Sequence, residues 1–148
     1  MNLVSFDVRG QRLGCPIAQV KETIVVRPIT RVFLTPPWVA GIINLRGDIV
    51  AVLDLGVLLG LGPTLPQPET RIVIVRSGGR TAGVLVDRLA EARTVDLDGL
   101  AAPPSTVDPE VAGLLAGVAT LADGAPLAVL DLDKLFESDR LREFARRP

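Results

Sequence analysis

The chain has 148 residues, a length that suits one domain or two small subdomains sharing a core. Hydrophobic residues make up 48% of it and charged residues 22%, a balance that excludes a disordered protein. The 16 basic and 17 acidic side chains give a net charge of −1, so no overall field favours nucleic acid or anionic lipid. The 14 Gly and 12 Pro residues favour many short elements over a bundle of long helices.

The chain has no His and a single Cys, Cys15, which excludes the common catalytic and metal-binding arrangements. An internal disulfide, a zinc cluster and any catalytic group that uses His are ruled out. Cys15 follows Gly14 in an apolar run and is predicted to be a small buried hydrophobe. The N-terminus has neither a basic region nor a long apolar run, so we expect a cytoplasmic protein without a signal peptide or direct membrane insertion.

Apolar and polar residues alternate along the chain, the pattern of half-buried strands. Strands are predicted over 3–8, 13–15, 22–26, 41–45, 49–53, 71–75, 81–86, 114–121 and 127–130. Segments 62–69 and 101–109 are rich in proline and are predicted to be connectors. The only predicted helix is 132–147, with Asp131 as its N-cap. This pattern predicts a mainly β protein with a short C-terminal helix.

An internal duplication divides the chain into two similar halves. The sequence of Ala51–Leu55 recurs at Ala128–Leu132, 77 residues later. Nearer the start of each half, an offset of 69 aligns Gly14 with Gly83 and Glu22 with Glu91. We therefore predict two β subdomains at about 1–62 and 70–136, joined by a linker at 63–69 and packed together as one domain over 1–148.

Acidic residues and one arginine are the candidates for function. Asp54 and Asp131 occupy the repeated segment, where a strand ends and a turn begins, so a structural capping role is favoured over an acid–base pair. The alternative, a small ligand-binding or catalytic β-barrel, would need a pocket containing both acids. Arg46 lies at a predicted hairpin tip before Gly47, and the second half has no arginine there. Its charge therefore serves either an ion pair across the subdomains or a binding partner.

The segment 41–55, with Asn44-Leu45-Arg46-Gly47 at its turn, resembles the signature of the CheW family of chemotaxis coupling proteins. The likeness extends over nearly the whole chain, including the lead-in 35–41, the strands 70–75 and 83–87, and the end 130–135. The Asn-Leu-Arg-Gly sequence between two strands carries the resemblance, because the apolar segments alone are less specific. Ala51 stands where proline is common in the family, and Arg71 where an apolar residue is common.

The resemblance implies two packed five-stranded SH3-like β-barrels and a scaffold without catalytic residues, cofactor or metal. Its expected partners are the regulatory domain of a CheA-type histidine kinase and the cytoplasmic tip of a chemoreceptor, at membrane-associated arrays. By position, the resemblance assigns the receptor interface to Val20, Glu22, Gly41, Arg46 and Ala92, and the kinase interface to Thr70 and Arg71. A paralogous adaptor of a pilus-motility or other chemosensory pathway is the nearer alternative.

Overall fold

A computed structural model describes residues 1–138 and 141, and within them the chain forms two β-sheets. In chain order the strands are β1 (Asn2–Val8), β2 (Gln11–Pro16), β3 (Val20–Val25), β4 (Val39–Leu45), β5 (Asp48–Asp54), β6 (Arg71–Ser77), β7 (Arg80–Val86), β8 (Arg88–Leu89), β9 (Arg93–Thr94), β10 (Leu115–Thr120) and β11 (Pro126–Leu130). The six-stranded sheet has the order β10-β11-β2-β1-β8, with β9 also paired to β1. The five-stranded sheet has the order β3-β6-β7-β5-β4.

The two halves of the sequence exchange their first hairpins. The β1–β2 hairpin lies at the centre of the sheet that otherwise contains β8 to β11, and the β6–β7 hairpin lies at the centre of the sheet built from β3, β4 and β5. Each exchanged hairpin forms the same kind of parallel contact. In one sheet β2 runs parallel to β11, with Gly14 opposite Val129. In the other sheet β7 runs parallel to β5, with Gly83 opposite Val52. Each sheet is therefore assembled from both halves of the duplicated sequence.

Glycines at equivalent positions allow close packing within each exchanged hairpin. A Cβ atom at Gly83 would lie 2.7 Å from Cγ2 of Ile72, and one at Gly14 would lie 3.3 Å from Cδ1 of Leu3. Both glycines are buried, so the neighbouring side chains have little room to move away. Leu3 and Ile72 lie on the neighbouring strand of the same hairpin, so the glycines that align the two halves of the sequence permit tight packing inside each hairpin.

The mainly β fold of SH3-like sheets is confirmed, with two differences from the expected pair of five-stranded barrels. The first sheet has six strands, because the strand equivalent to β3 is divided into β8 and β9. The sheets are also not closed barrels. Their edges approach through single bridges, between Thr30 and Ile42 in one sheet and between Ala101 and Val118 in the other. The boundaries 1–62 and 70–136 stay a prediction.

One large apolar cluster joins the two sheets. It contains Phe6 and Leu13 from the six-stranded sheet and Val73 and Val84 from the five-stranded sheet, all at most 2% exposed. Burying a side chain of this size contributes about 1.5–3 kcal/mol. The sheets therefore share a hydrophobic core, and neither presents a complete core alone.

Two short helices directly follow the last strand of a half, and another precedes β10. They are α1 (Leu55–Leu58), α2 (Pro109–Ala112) and α3 (Leu132–Glu137). Asp131 caps α3 as predicted, because its Oδ1 accepts a hydrogen bond of 3.1 Å from the Lys134 amide. Of the predicted helix 132–147, residues 139, 140 and 142–147 lie outside the described residues. No helix among the described residues has the length and hydrophobicity needed to cross a membrane.

The linker is fastened to the first half by Asp54, which is 7% exposed. Its carboxylate accepts hydrogen bonds from the Val57 amide at 3.3 Å, the Thr64 amide at 3.0 Å and the Thr64 hydroxyl at 3.1 Å. The first bond caps α1, and the other two hold the linker against the end of β5.

A polar cluster holds the exchanged β1–β2 hairpin to the second half. Asp7 on β1 accepts hydrogen bonds from Arg12 on β2 and from Arg88 on β8, the latter at 2.7 Å. Burial raises the pKa of Asp7, but the bonds from the two arginines outweigh it and hold that pKa below its ordinary value. The folded state therefore favours the ionised carboxylate.

Candidate functional site

The site is built on the hairpin turn between β4 and β5. Arg46 and Gly47 form its two-residue loop, with φ of +53° and +92°. Positive φ at both positions is typical of the type I′ turn, whose twist matches that of the flanking strands. The Asn44 side chain completes the turn, because its Oδ1 accepts a hydrogen bond of 2.8 Å from the Gly47 amide. The backbone thus presents the Arg46 side chain at the end of the hairpin; we call residues 44–47 the arginine turn.

Arg46 forms a bidentate ion pair with Glu22 on β3. The two guanidinium nitrogens Nη1 and Nη2 donate to Oε2 and Oε1 at 2.6 and 2.7 Å. The hydrogen bond from Arg46 lowers the pKa of Glu22, and the same bond raises the pKa of Arg46. Both partners lie within segment 1–62, so this pair does not cross between the halves.

The ion pair leaves the arginine accessible. The Arg46 side chain is 70% exposed, whereas that of Glu22 is 25% exposed. A bidentate contact fixes the plane of the guanidinium and so orients its outer edge toward solvent. An exposed pair contributes little to stability, so its fixed geometry is better suited to recognition than to holding the fold.

Gly41 has a structural role beside this turn. It is buried in β4 with φ of +150°, at a bulge in its pairing with β5. A Cβ atom there would collide with the carbonyl oxygen of Thr30, which accepts the Ile42 amide across the edge of the sheet. Gly41 therefore permits the close approach of the segment after β3 to β4.

The other predicted receptor residues lie at different depths. Val20, at the start of β3, is half-buried and packs against the large core cluster. Ala92 is exposed and lies between β8 and β9, in the other sheet. The structure thus brings Glu22 and Arg46 into direct contact, keeps Val20 on the same strand as Glu22, and places Ala92 on a separate sheet.

The two predicted kinase residues differ in exposure. Thr70 is 1% exposed, and its hydroxyl accepts a hydrogen bond of 2.8 Å from the Gln67 amide. Arg71, the first residue of β6, is half-buried and donates to the carbonyl oxygens of Pro68 and Thr70 at 2.8 and 2.9 Å. The accessible side chain of this pair is that of Arg71.

A neighbouring apolar residue was missed from the sequence. Val25 pairs with Arg71 across the β3–β6 ladder, and it is 63% exposed on a strand at the edge of its sheet. In the apolar run 24–26 the alternation alone does not show which side chain faces solvent. In the structure Val25 shares the exposed face of β3 with Lys21 and Thr23. Val25 and Arg71 together present an apolar and a cationic side chain on one face.

The remaining candidates for chemistry are engaged in the fold. Asp54 and Asp131 each cap a helix. Asp87, the acid that follows the apolar segment 83–86, accepts a hydrogen bond of 2.7 Å from the Arg9 amide. Cys15 is buried, and desolvation raises the pKa of its thiol to about 12, which keeps it protonated and unreactive. No group of three or more His, Cys, Asp or Glu residues suited to a metal occurs within the described part of the chain.

Comparison with known proteins gives a consistent result. A family model described as the CheW-like domain matches residues 2–140. Protein FrzA of Myxococcus xanthus is 30% identical over 141 residues, covering 95% of this chain and 88% of that protein. Chemotaxis protein CheW of Treponema pallidum is 29% identical over 147 residues, covering 97% of this chain and 86% of that protein. The crystal structure of the scaffolding protein TtCheW from Thermoanaerobacter tengcongensis superposes with a TM-score of 0.82 and 32% identity, covering 94% of this chain and 89% of that one.

Proposed function

The chain belongs to the family of CheW-like domains, and from this premise we propose that it joins a chemoreceptor to a CheA-type histidine kinase through two separate surfaces. It is a coupling adaptor of chemotaxis signalling and has no catalytic activity. We propose that it works in the cytoplasm, recruited to membrane-associated receptor arrays. An adaptor for a related chemosensory pathway is the second candidate, supported by the similarity to FrzA over most of the chain.

The receptor surface in this proposal is centred on the arginine turn. The exposed, oriented Arg46 side chain supports it, because a fixed cation at a rim discriminates between partners. Val20 supplies a half-buried apolar side chain on the strand that carries Glu22. A receptor hairpin would lay an apolar helix face against Val20 and a polar or acidic group against Arg46. Gly41 contributes through the backbone, and Ala92 is assigned to the receptor surface by the family resemblance alone.

The receptor surface is tested by titrating the purified protein with a cytoplasmic receptor-tip fragment. We expect Arg46→Ala to weaken binding about tenfold, the loss typical of removing an important interfacial arginine, while its thermal unfolding stays unchanged. Val20→Asp should also weaken binding, because it places a charge in an apolar contact. Arg76→Ala removes an exposed arginine from β6 and is the matched control. Normal affinity of Arg46→Ala would contradict the assignment.

The kinase surface in this proposal is formed by Arg71 with Val25. Arg71 is held by two carbonyl oxygens, which fixes its position at the end of β6, and Val25 adds exposed apolar area beside it. Among the described residues β3 pairs with β6 alone, so its outer side offers backbone groups to a partner. We assign Thr70 to this surface as the residue whose buried hydroxyl orders the turn before Arg71.

A second titration, against the isolated regulatory domain of the kinase, tests this surface. Arg71→Glu and Val25→Asp should each weaken binding about tenfold, whereas Arg76→Glu on the same strand should bind normally. Thermal unfolding of each variant shows whether the fold is kept. Equal affinity of all three variants and the unaltered protein would exclude this face. Loss of kinase binding with intact receptor binding would show that the two surfaces are separate.

A further inference from the structure

Most of the strand pairing in the molecule joins the first half of the chain to the second. Of the nine strand pairings among the described residues, five connect a strand before the linker with a strand after it. They are β1–β8, β1–β9, β2–β11, β3–β6 and β5–β7. The chain passes between the halves once, through the linker. The pairings therefore need the two halves to be adjacent, but they do not need both halves to belong to one chain.

The chain reaches the linker only by turning back over α1. The amides of Leu61 and Gly62 both donate hydrogen bonds to the carbonyl oxygen of Gly56, at 2.8 and 3.2 Å. Gly60 and Gly62 have φ of +73° and +104°, a conformation that glycine adopts readily. Beyond this reversal, Thr64 is bonded to the end of β5. A few hydrogen bonds thus hold the reversed path in place.

The composition of the linker favours an extended path instead. Pro63, Pro66 and Pro68 each fix their own φ and bias the preceding residue toward an extended conformation. At about 3.1 Å per residue, the six residues 63–68 span about 19 Å when they are extended. Residues 65–69 are exposed, so straightening them costs little apolar burial. A tight reversal next to a segment that prefers extension is the arrangement in which hinge segments favour exchange between copies.

We propose that two copies of this chain exchange halves and form a closed dimer. The linker of each copy extends, and residues 70–138 of one copy pair with residues 1–62 of the other. Each of the two resulting bodies contains the same two sheets and the same core as the single chain. Because every half is paired, no half remains open for a third copy, and assembly stops at two chains. We call this species the half-exchanged dimer.

Protein concentration and the linker set the balance between the two forms. A short flexible linker holds the halves of one chain at an effective concentration of about 1 mM. The single chain is therefore the main species well below that concentration, and the half-exchanged dimer forms when many chains fold together near it. Conversion between the folded forms requires five strand pairings to separate, so it is slow.

The half-exchanged dimer is bivalent. Glu22 and Arg46 both belong to the first half, so each body carries one complete arginine turn with its ion pair. Val25 belongs to the first half and Arg71 to the second, so the face that they form is built by two chains. On the proposed function, one dimer holds two receptor surfaces and two kinase surfaces. The exchange itself does not depend on that function.

Refolding the full chain from urea at about 1 mM and at about 10 µM, followed by light scattering, tests the exchange. We expect the concentrated sample to contain a species of twice the 15.7 kDa of one chain, which persists on dilution, and the dilute sample to be monomeric. Proteolytic cleavage between 63 and 69 then identifies the dimer. Only the linkers join the two bodies, so cleavage should convert the dimer to particles of 15.7 kDa. A dimer that stays intact after cleavage is a side-by-side contact and would overturn the proposal.

Two changes of linker length shift the balance in opposite directions. Removing residues 65–67 should make the dimer the main species even at about 10 µM, because the shortened linker no longer completes the reversal. Inserting about six Gly and Ser residues between Leu65 and Pro66 is the matched control and should lower the dimer fraction. A shortened variant that folds and stays monomeric would overturn the proposal. If that variant does not fold, the unaltered protein decides, since its remaining monomeric after refolding at both concentrations would equally overturn it.

Discussion

At the scale of single residues, exposure distinguishes ion pairs that suit recognition from ion pairs that stabilise the fold. The Arg46 side chain is 70% exposed although both of its terminal nitrogens, Nη1 and Nη2, donate hydrogen bonds to Glu22. Asp7 makes a similar pair of arginine contacts, but its side chain is only 16% exposed and joins three strands. The first arrangement suits a partner, and the second holds the exchanged hairpin in place.

Asp7 should make stability depend on acidity. Its pKa is lower in the folded than in the unfolded chain, so its contribution is complete above the ordinary value of 3.8 and is lost as the pH falls through the folded-state pKa. We expect Asp7→Asn to lower the free energy of unfolding at neutral pH by about 1–3 kcal/mol. The difference from the unaltered protein should shrink below pH 3.8. Urea unfolding at several pH values measures it.

The control for Asp7→Asn is the same substitution at an exposed aspartate. Asp98 is exposed in the one-turn segment Leu97–Gly99, so Asp98→Asn should leave the free energy of unfolding nearly unchanged. A loss for Asp7→Asn that is equally large in acid would mean that packing, rather than charge, accounts for its effect.

At the scale of elements, the duplicated acids Asp54 and Asp131 show how equivalent positions have diverged. Both cap the helix that follows, but only Asp54 also binds the linker through Thr64. We expect Asp131→Ala to lower the free energy of unfolding by about 1 kcal/mol, the usual cost of losing an N-cap. Asp54→Ala should cost about 2–4 kcal/mol, because it also leaves buried Thr64 donors unpaired.

Thermal or urea unfolding of the two variants checks this difference. Thr64→Val removes the hydroxyl's half of the linker contact and retains both the Thr64 amide bond and the helix cap, so its loss should be smaller than that of Asp54→Ala. Equal losses for Asp54→Ala and Asp131→Ala would mean that the linker contact contributes nothing.

The elements also show which features a sequence pattern predicts. The alternation around Phe6 and Ile43 located the long strands, because one face of each is buried. The strands β8 and β9 have two residues each, too few for any period to be recognised. The single turns α1 and α2 were missed for the same reason.

The candidate site was partly predictable. The Asn-Leu-Arg-Gly turn was recognised from local chemistry, since its strand context and glycine are contiguous in sequence. The pairing of Glu22 with Arg46 was not, because it depends on how the edges of a sheet approach each other. Burial of Thr70 and exposure of Phe33 likewise follow from the packing of distant segments.

At the scale of the whole molecule, the exchange of hairpins makes the halves dependent on each other. The sheet of β3, β4 and β5 lacks its central strands without β6 and β7, and the sheet of β8 to β11 lacks them without β1 and β2. We expect fragments 1–62 and 63–148 to be unfolded when separate, because each exposes unpaired strand edges and an incomplete core.

Mixing the fragments should restore a folded one-to-one complex, measured by circular dichroism and sedimentation. A full chain cleaved between 63 and 69 is the matched control and should remain associated. Cooperative unfolding of either fragment alone would show that a half is a domain in its own right.

The exchange also delays the pairing of the first hairpin while the chain is being synthesised. Leu13 and Gly14 on β2 pair with Ala128 and Val129 on β11, residues that follow them by 115 positions. At a synthesis rate of about 5–20 residues per second, the first hairpin waits about 6–23 s for this partner to be made. During that interval its open edge and the apolar faces of Phe6 and Val8 have only incomplete packing. The nascent chain is therefore a candidate for chaperone capture until its last strand leaves the ribosome.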